Sequence, residues 1–325
     1  MDSQKASASV ITLPMCKWLS AERSEDHLVA WNESREWRQH EFRRDVLSLI
    51  AGLRRTSHSR WALCLDDNYS FAVALLAVIY SGKTPVLTGH SLPAVLAEQR
   101  SVFDALITDL PLSPDCPLLR FPFALQETLT VLPPWPQDAS VILFTSGSTG
   151  KPQKIVKSVS CLELESQWLC ARWGTEFAGT RFAATVAPHH MYGLSFAFML
   201  PLSLGLPFAT TGIKYHEQLH SLAAAHSLVF ISSPAFLGRL DPALKTRKLR
   251  HVFSAGGPLK HEAARLVEQT CGDVPTEIYG TTETGIIAFR QQHQPEQVWT
   301  LFDDIVFSLS PDGNTSLISP LVSPS

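Results

Sequence analysis

Residues 141–154, VILFTSGSTGKPQK, set four hydroxyl donors, Thr145, Ser146, Ser148 and Thr149, beside Gly147 and Gly150, with Lys151 and Lys154 behind them. Glycines that let backbone N–H groups turn inward, next to hydroxyls, form a concavity suited to a phosphate. Three other readings can be set against that one. A Walker A loop would need Gly five residues ahead of Gly150, where Thr145 stands, and Ser or Thr in place of Pro152. A nucleophile elbow centred on Ser148 would need Gly at 146. A plain polar surface loop is the third, and the apolar run 141–144 ahead of it and the lysines behind it weigh against that.

Three further stretches carry polar chemistry. In APHHMYGL, residues 187–194, two histidines stand between an expected strand and an expected helix, where open α/β sheets place ligands. The same pair fits a solvated loop, or a ring bonded to a backbone carbonyl. No carboxylate or third histidine lies at metal-ligand spacing. In SAGGPL, residues 254–259, Gly256 and Gly257 allow a backbone to approach a flat ligand closely, and they equally fit an ordinary strand-to-helix turn. TEIYGTTETG, residues 276–285, follows a short strand expected to end at Tyr279 with a glycine, hydroxyls and one acid, Glu283.

The elements that would position these groups alternate. Strands are expected at 27–31, 61–65 and 84–87, an amphipathic helix at 37–55, and an almost wholly apolar helix at 71–80 that Gly82 ends. Pro111, Pro114, Pro117, Pro122, Pro133, Pro134 and Pro136 make 109–138 a wandering connection holding at most one short strand. After the loop, residues 154–157 pair as a strand and 162–173 resume helical spacing. Strands at 182–186, 228–231 and 251–254 follow, with a helix at 260–269. Residues 194–209 read as a buried helix and then a strand. This order predicts an α/β fold of mostly parallel sheets covered by helices.

At 325 residues the chain can bury a full core, and with 45% apolar and 18% charged residues it reads as globular. A formal charge of −3 argues against a nucleic-acid partner. Cys16, Cys64, Cys116, Cys161, Cys170 and Cys271 show no C-x-x-C, which points to reduced thiols in a cytoplasmic protein. The polar start MDSQKASASV lacks the apolar core of a signal peptide. Residues 194–209, broken by Pro201, Gly205 and Pro207, are too short to span a bilayer.

Taken in order, the motifs resemble those of the adenylate-forming superfamily: acyl- and aryl-CoA synthetases, luciferases and peptide-synthetase adenylation domains. FTSGSTGKP (144–152) resembles its phosphate loop, PHHMYGL its aromatic and histidine motif, SAGGPL its adenine strand and YGTTETG (279–285) its acidic motif; LLAVIYSGKTPVL (75–87) is similar to its early helix-Gly-strand element. The resemblance implies the fold of that family's large domain, mostly parallel sheets with a smaller β-rich part. It also implies two steps: a carboxylate attacks the α-phosphate of ATP and pyrophosphate leaves, then a thiol, of coenzyme A or of a carrier protein's phosphopantetheine, displaces AMP. An acyl carrier protein is thereby an implied partner.

By resemblance, ATP is bound by Thr145, Ser146, Gly147, Ser148, Thr149, Gly150 and Lys151 at its phosphates, and by Gly256, Gly257, Pro258, Tyr279, Gly280 and Thr281 around adenine and beyond. Thr282 would donate to the α-phosphate, Glu283 would hold Mg²⁺, and His190 would face the carboxylate or help to admit it. Where the family has Pro-Lys-Gly, this chain has Pro152-Gln153-Lys154, so the loop lysine is displaced by one position or replaced in role by Lys151. The expected division is a large domain over 1–310 and a Ser/Pro-rich stub over 311–325. The family's ribose-binding R-T-G-D-like motif and lysine-bearing small domain have no counterpart after Glu283, from which weak nucleotide binding and slow adenylation are expected. The apolar stretches 192–208 and 230–236, without a charged anchor, suggest a fatty or aromatic acid over an amino acid. The alternative from another class is a non-catalytic nucleotide- or acyl-binding module.

Overall fold

Local chemistry sets most element boundaries in the computed structural model, which describes residues 12–20, 23–122, 129–145, 153–310 and 315–322. A hairpin of β1 (Leu28–Trp31) and β2 (Glu36–Arg38) leads into α1 (Gln39–Arg54). Phe42, Val46, Leu49, Ile50 and Leu53 recur at helical spacing and are all buried, the stripe that lays an amphipathic helix on a core. Glu41 accepts from the Arg38 N–H at 2.9 Å and closes the first turn.

Between β3 (Arg60–Cys64) and β4 (Thr84–Leu87) runs α2 (Asn68–Tyr80), buried on every side from Tyr69 onward. It begins before the apolar periodicity does, because the Asp67 carboxylate caps it by accepting from the Ser70 N–H at 2.7 Å. Gly82, at φ +69°, ends it. α3 (Pro93–Glu98) and the wholly buried β5 (Ala105–Thr108) are too short for periodicity to announce. β6 (Leu118–Arg120) is the short strand within the proline-rich connection. β7 (Ser140–Thr145) and β8 (Gln153–Ser158) pair antiparallel, Phe144 opposite Lys154 and Thr145 opposite Gln153. Ser146, Gly147, Ser148, Thr149, Gly150 and Lys151 lie outside the described residues. These strands form one sheet in the order β6-β5-β3-β4-β7-β8, parallel except at β8.

The rest of the chain builds the larger sheet. α4 (Val159–Trp173) and β9 (Arg181–Ala184) precede a π-helical stretch, Gly193–Met199, that runs into α5 (Leu200–Leu204) and then β10 (Phe208–Ala209). α6 (His216–Ala225), β11 (Leu228–Ser232), α7 (Pro234–Leu237), β12 (His251–Ser254) and α8 (His261–Cys271) follow, then β13 (Thr276–Thr281), β14 (Gly285–Gln291) and β15 (Thr300–Leu301). The order is β15-β14-β13-β12-β11-β9-β10-β1-β2, parallel from β13 through β1 and antiparallel at both edges. β16 (Val306–Leu309) and β17 (Thr315–Ile318) form a small antiparallel ribbon. The result is the expected α/β architecture of mostly parallel sheets flanked by helices, with a smaller β-rich part. No helix among the described residues is long and apolar enough to cross a membrane.

Two expectations change. The strand at 276 does not stop at Tyr279 but continues to Thr281 and turns back into β14, because Gly280 and Gly285 let the two backbones close: a Cβ on Gly280 would stand 2.5 Å from the Gly285 carbonyl oxygen. Residues 315–322, read above as part of a stub, supply β17 and bury Leu321, which is 1% exposed, in the main core.

His251 on β12 yields a stability prediction. It is 5% exposed, its Nε2 lies 2.9 Å from Thr276 Oγ1, and the rings of Trp173, Phe177 and Phe253 surround it. Burial, and then Arg172 and Arg250, hold its pKa down at about 4. An unfolded imidazole titrates near 6.5. As pH falls the unfolded chain therefore protonates first, and the stability His251 contributes above pH 6.5 is lost progressively toward pH 4. At about 1.4 kcal/mol per pH unit the loss is ~3 kcal/mol. Asp273, raised to about 6 by burial, works with the opposite sign in the lower part of that window. The decisive quantity is consequently the difference between wild type and His251→Phe in urea unfolding at pH 7 and pH 4.5. Wild type should lose about 2–3 kcal/mol more than the variant; parallel losses would refute the assignment.

Candidate active site

The carboxyl ends of the parallel strands from both sheets meet around one cavity of ≈ 770 Å³. β4 runs out into Thr88, Gly89 and His90, and β7 ends in Phe144 and Thr145. The segment after β9 supplies His190, Met191 and Tyr192. β12 leads to Ala255 and Gly256, and the β13–β14 hairpin adds Gly280, Thr281, Thr282 and Glu283. Such strand ends are where α/β sheets present loops and free backbone donors to a ligand.

Seven residues singled out in the sequence thus share one wall-to-wall space: Thr145, His190, Gly256, Gly280, Thr281, Thr282 and Glu283. Gly257, Pro258 and Tyr279 are not among those lining it. Tyr279 is 50% exposed, with its ring centroid 5.7 Å from that of Trp299. Phe230 and Phe236, expected at an acid pocket, pack on each other in a separate core cluster. Tyr192 and Phe196, from the other expected stretch, do line the cavity. A charged group does reach the cavity from outside those stretches, since Glu165 of α4 is in the wall.

The acidic hairpin is held closely. The Thr281 N–H donates to Thr284 Oγ1 at 3.3 Å, and the Thr284 N–H donates to Thr281 Oγ1 at 3.1 Å. These reciprocal bonds fix the tip that carries Thr282 and Glu283, whose side chain is exposed to the cavity. On β13, Glu277 pairs with Arg290 at 2.7 Å and accepts from the Leu259 N–H at 3.1 Å. That bond anchors the turn that contains Gly256, which sits at φ +85° and so favours glycine.

Three histidines gather at one side. The ring of His190 lies 4.7 Å from that of His189 and 5.7 Å from that of His90, centroid to centroid. Burial, then the neighbouring His190 and His90, push the His189 pKa down to about 4. His190 is exposed to the open cleft, yet the cleft walls exclude enough water to lower its pKa too, with His90 adding to the effect. Both shifts favour the neutral ring, which can accept or donate a hydrogen bond.

Sequence reasoning missed Glu165, His90 and Lys157. Glu165 had a signal: it interrupts the buried face of α4 formed by Cys161, Leu162, Leu169 and Trp173. An acid on such a face is either paired or functional. Burial raises its pKa, opposed by the Ile286 N–H, which it accepts at 3.0 Å, and by the charge of Lys157.

Two mostly parallel sheets closing an acid-bearing hairpin over one cleft define the fold of adenylate-forming enzymes. An o-succinylbenzoate CoA synthetase from Bacillus subtilis, solved with its acyl-adenylate intermediate, superposes with a TM-score of 0.81 over 94% of this chain and 70% of its own, at 16% identity. The ATP-bound structure of an RpMatB-BxBclM chimera gives 0.80 over the same shares, at 18% identity. Residues 97–303 match the AMP-binding enzyme family, and the chain belongs to it. Among its relatives, a 4-coumarate–CoA ligase of Halorhodospira halophila is 32% identical over 57% of this chain, and a 4-chlorobenzoate–CoA ligase of an Arthrobacter species is 26% identical over 46%. The alignments cover 48% and 30% of those proteins, so the chain spans about half their length or less.

Proposed function

We propose that the chain activates a carboxylic acid with ATP, forming an acyl-adenylate that is passed to the thiol of coenzyme A or of a carrier protein's phosphopantetheine. The observation that carries this is the convergence of Thr145, His190, Gly256, Thr282 and Glu283 on a single cavity. A carboxylate is a poor electrophile, and joining it to AMP supplies a good leaving group. The acid's oxygen attacks the α-phosphorus, the bond to pyrophosphate breaks, and negative charge shifts onto phosphate oxygens. Such a step calls for aligned donors and a cation more than for a protein nucleophile.

In this reading Thr282 donates to the α-phosphate, while Thr145 with Ser146, Gly147, Ser148, Thr149, Gly150 and Lys151 receives the outer phosphates. Gly256, Gly280 and Thr281 border the nucleoside. His190, held toward neutrality, orients the incoming carboxylate. The donor set fits magnesium: one exposed carboxylate, Glu283, stands beside the hydroxyls of Thr281 and Thr282, and no cluster of three or more acids, histidines or cysteines among the described residues would cage a metal on its own. Magnesium usually takes one or two carboxylates and completes its shell with substrate phosphates and water. When bound it would neutralise charge on the leaving phosphates.

The apolar wall of Phe144, Met191, Phe196, Ile278 and Ile286 suits a fatty or aromatic acid. Two relatives named for aromatic acids favour the aromatic side. The test is calorimetric titration with ATP and Mg²⁺, followed by pyrophosphate release with panels of aromatic and fatty acids. Magnesium-dependent ATP binding that Glu283→Ala weakens, together with acid-dependent pyrophosphate, is the expected result. Binding without pyrophosphate would leave a nucleotide-binding module, and absence of both would overturn the reading.

A further inference from the structure

The carboxylate of Glu283 reaches the cavity, but its main chain is fastened from the protein side by groups outside the conventional motifs. Lys157, on β8, is 1% exposed, and its Nζ donates to the Glu283 carbonyl at 2.9 Å and to the Leu321 carbonyl at 2.5 Å. Glu165, also 1% exposed, accepts from the Ile286 N–H at 3.0 Å. Ser319 Oγ donates to the Thr284 carbonyl at 3.0 Å. Successive peptide groups of the turn are therefore tied to β8, to α4 and to the segment after β17.

An ammonium is among the costliest groups to bury, and a methionine could fill the same space without that cost. Burial does lower the Lys157 pKa, with the charge of Glu165 opposing it. Both hydrogen bonds go to main-chain carbonyls, one of them belonging to the exposed acid of the cavity. A side chain serving packing alone would have no use for that geometry.

We propose that Lys157, supported by Glu165, is the positioning residue for Glu283: it pins the turn's backbone so that the carboxylate is held ready for a magnesium-bound phosphate. The proposal rests on the reading of Glu283 as the magnesium acid. Replacing Lys157 alone would strand the buried Glu165, so the test uses Lys157→Met/Glu165→Gln, which removes both charges together in the full chain.

The readout is the ratio of ATP Kd in EDTA to ATP Kd in Mg²⁺. The double variant should melt cooperatively and lose about tenfold of that ratio, and adding Glu283→Gln should then cost little more, because coupled residues are not additive. Lys157→Arg, which keeps a donor and the charge, should restore most of the ratio. An unchanged ratio in the double variant, or full additivity with Glu283→Gln, overturns the proposal. If the methionine variant fails to fold, Lys157→Gln/Glu165→Gln makes the same comparison, and failure of both to fold assigns Lys157 a purely structural role. Wild-type binding that ignores Mg²⁺ would instead refute the role of Glu283 itself, so the two failures are distinguishable.

Discussion

Glu283→Gln should lower acid-dependent pyrophosphate release at least 100-fold, while its melting temperature stays close to that of wild type. The substitution keeps the shape of the side chain and removes only its charge, so the hairpin bonds between Thr281 and Thr284 persist. Glu283 is exposed at the cavity, and exposed polar substitutions usually change stability by less than about 0.5 kcal/mol. What is lost, on the proposed reading, is the carboxylate on the hairpin tip that would hold magnesium against the phosphates. Removing a charge-stabilising group aimed at the transition state typically costs about 3–4 kcal/mol, or 10²- to 10³-fold. Steady-state release in saturating ATP measures the effect, and raising Mg²⁺ tenfold should recover part of it. A variant retaining a third of wild-type activity would exclude Glu283 as the metal acid.

Gly285→Ala should be strongly destabilising. Gly285 has φ +71°, where a side chain is strained, and its new Cβ would lie 2.6 Å from Glu165 Oε2 and 2.7 and 2.9 Å from Leu321. Neither neighbour moves freely: Glu165 holds the Ile286 N–H, and Leu321 is buried in the core. The left-handed backbone accounts for about 1 kcal/mol. Overpacking adds roughly 1–3 kcal/mol, for a total near 3 kcal/mol. Gly256→Ala is the internal control, since Gly256 has φ +85° and a Cβ there meets nothing within 4 Å. In urea unfolding the Gly285 variant should fall about 2 kcal/mol below the Gly256 variant. Equal midpoints would show that the clash relaxes at no cost.

The parts of the fold that were legible have their causes close together in sequence. α1 announces itself by five buried apolar residues at helical spacing, and α2 by an apolar run that Gly82 stops. The start of α2 was shifted because its cap, Asp67, lies outside the apolar pattern. The acidic motif was readable as chemistry, since a lone acid among threonines and glycines has few structural uses. Its hairpin form was not, because the closure depends on Gly280 meeting Gly285 across the turn.

Glu165 and Lys157 escaped for a different reason: their partners, Ile286 and Glu283, lie more than a hundred residues away in the chain, beyond any local period. The misplacement of Phe230 follows from strand geometry. Successive side chains point to opposite faces, so Val229 and Ile231 enter the main core cluster while Phe230 joins the other. An apolar strand read as a whole does not say which of its residues meets the ligand.

The shared ammonium has a consequence for how the protein is made. One Lys157 side chain grips both the Glu283 and Leu321 carbonyls, with Leu321 packed beneath the turn. During ribosomal synthesis Lys157 and Glu165 emerge before Glu283, but Ser319 and Leu321 emerge after it, so the last fastenings of the turn close only when the later segment has left the exit tunnel. Full fastening of the acid-bearing turn is therefore a late event in biogenesis, after both sheets already have their strands.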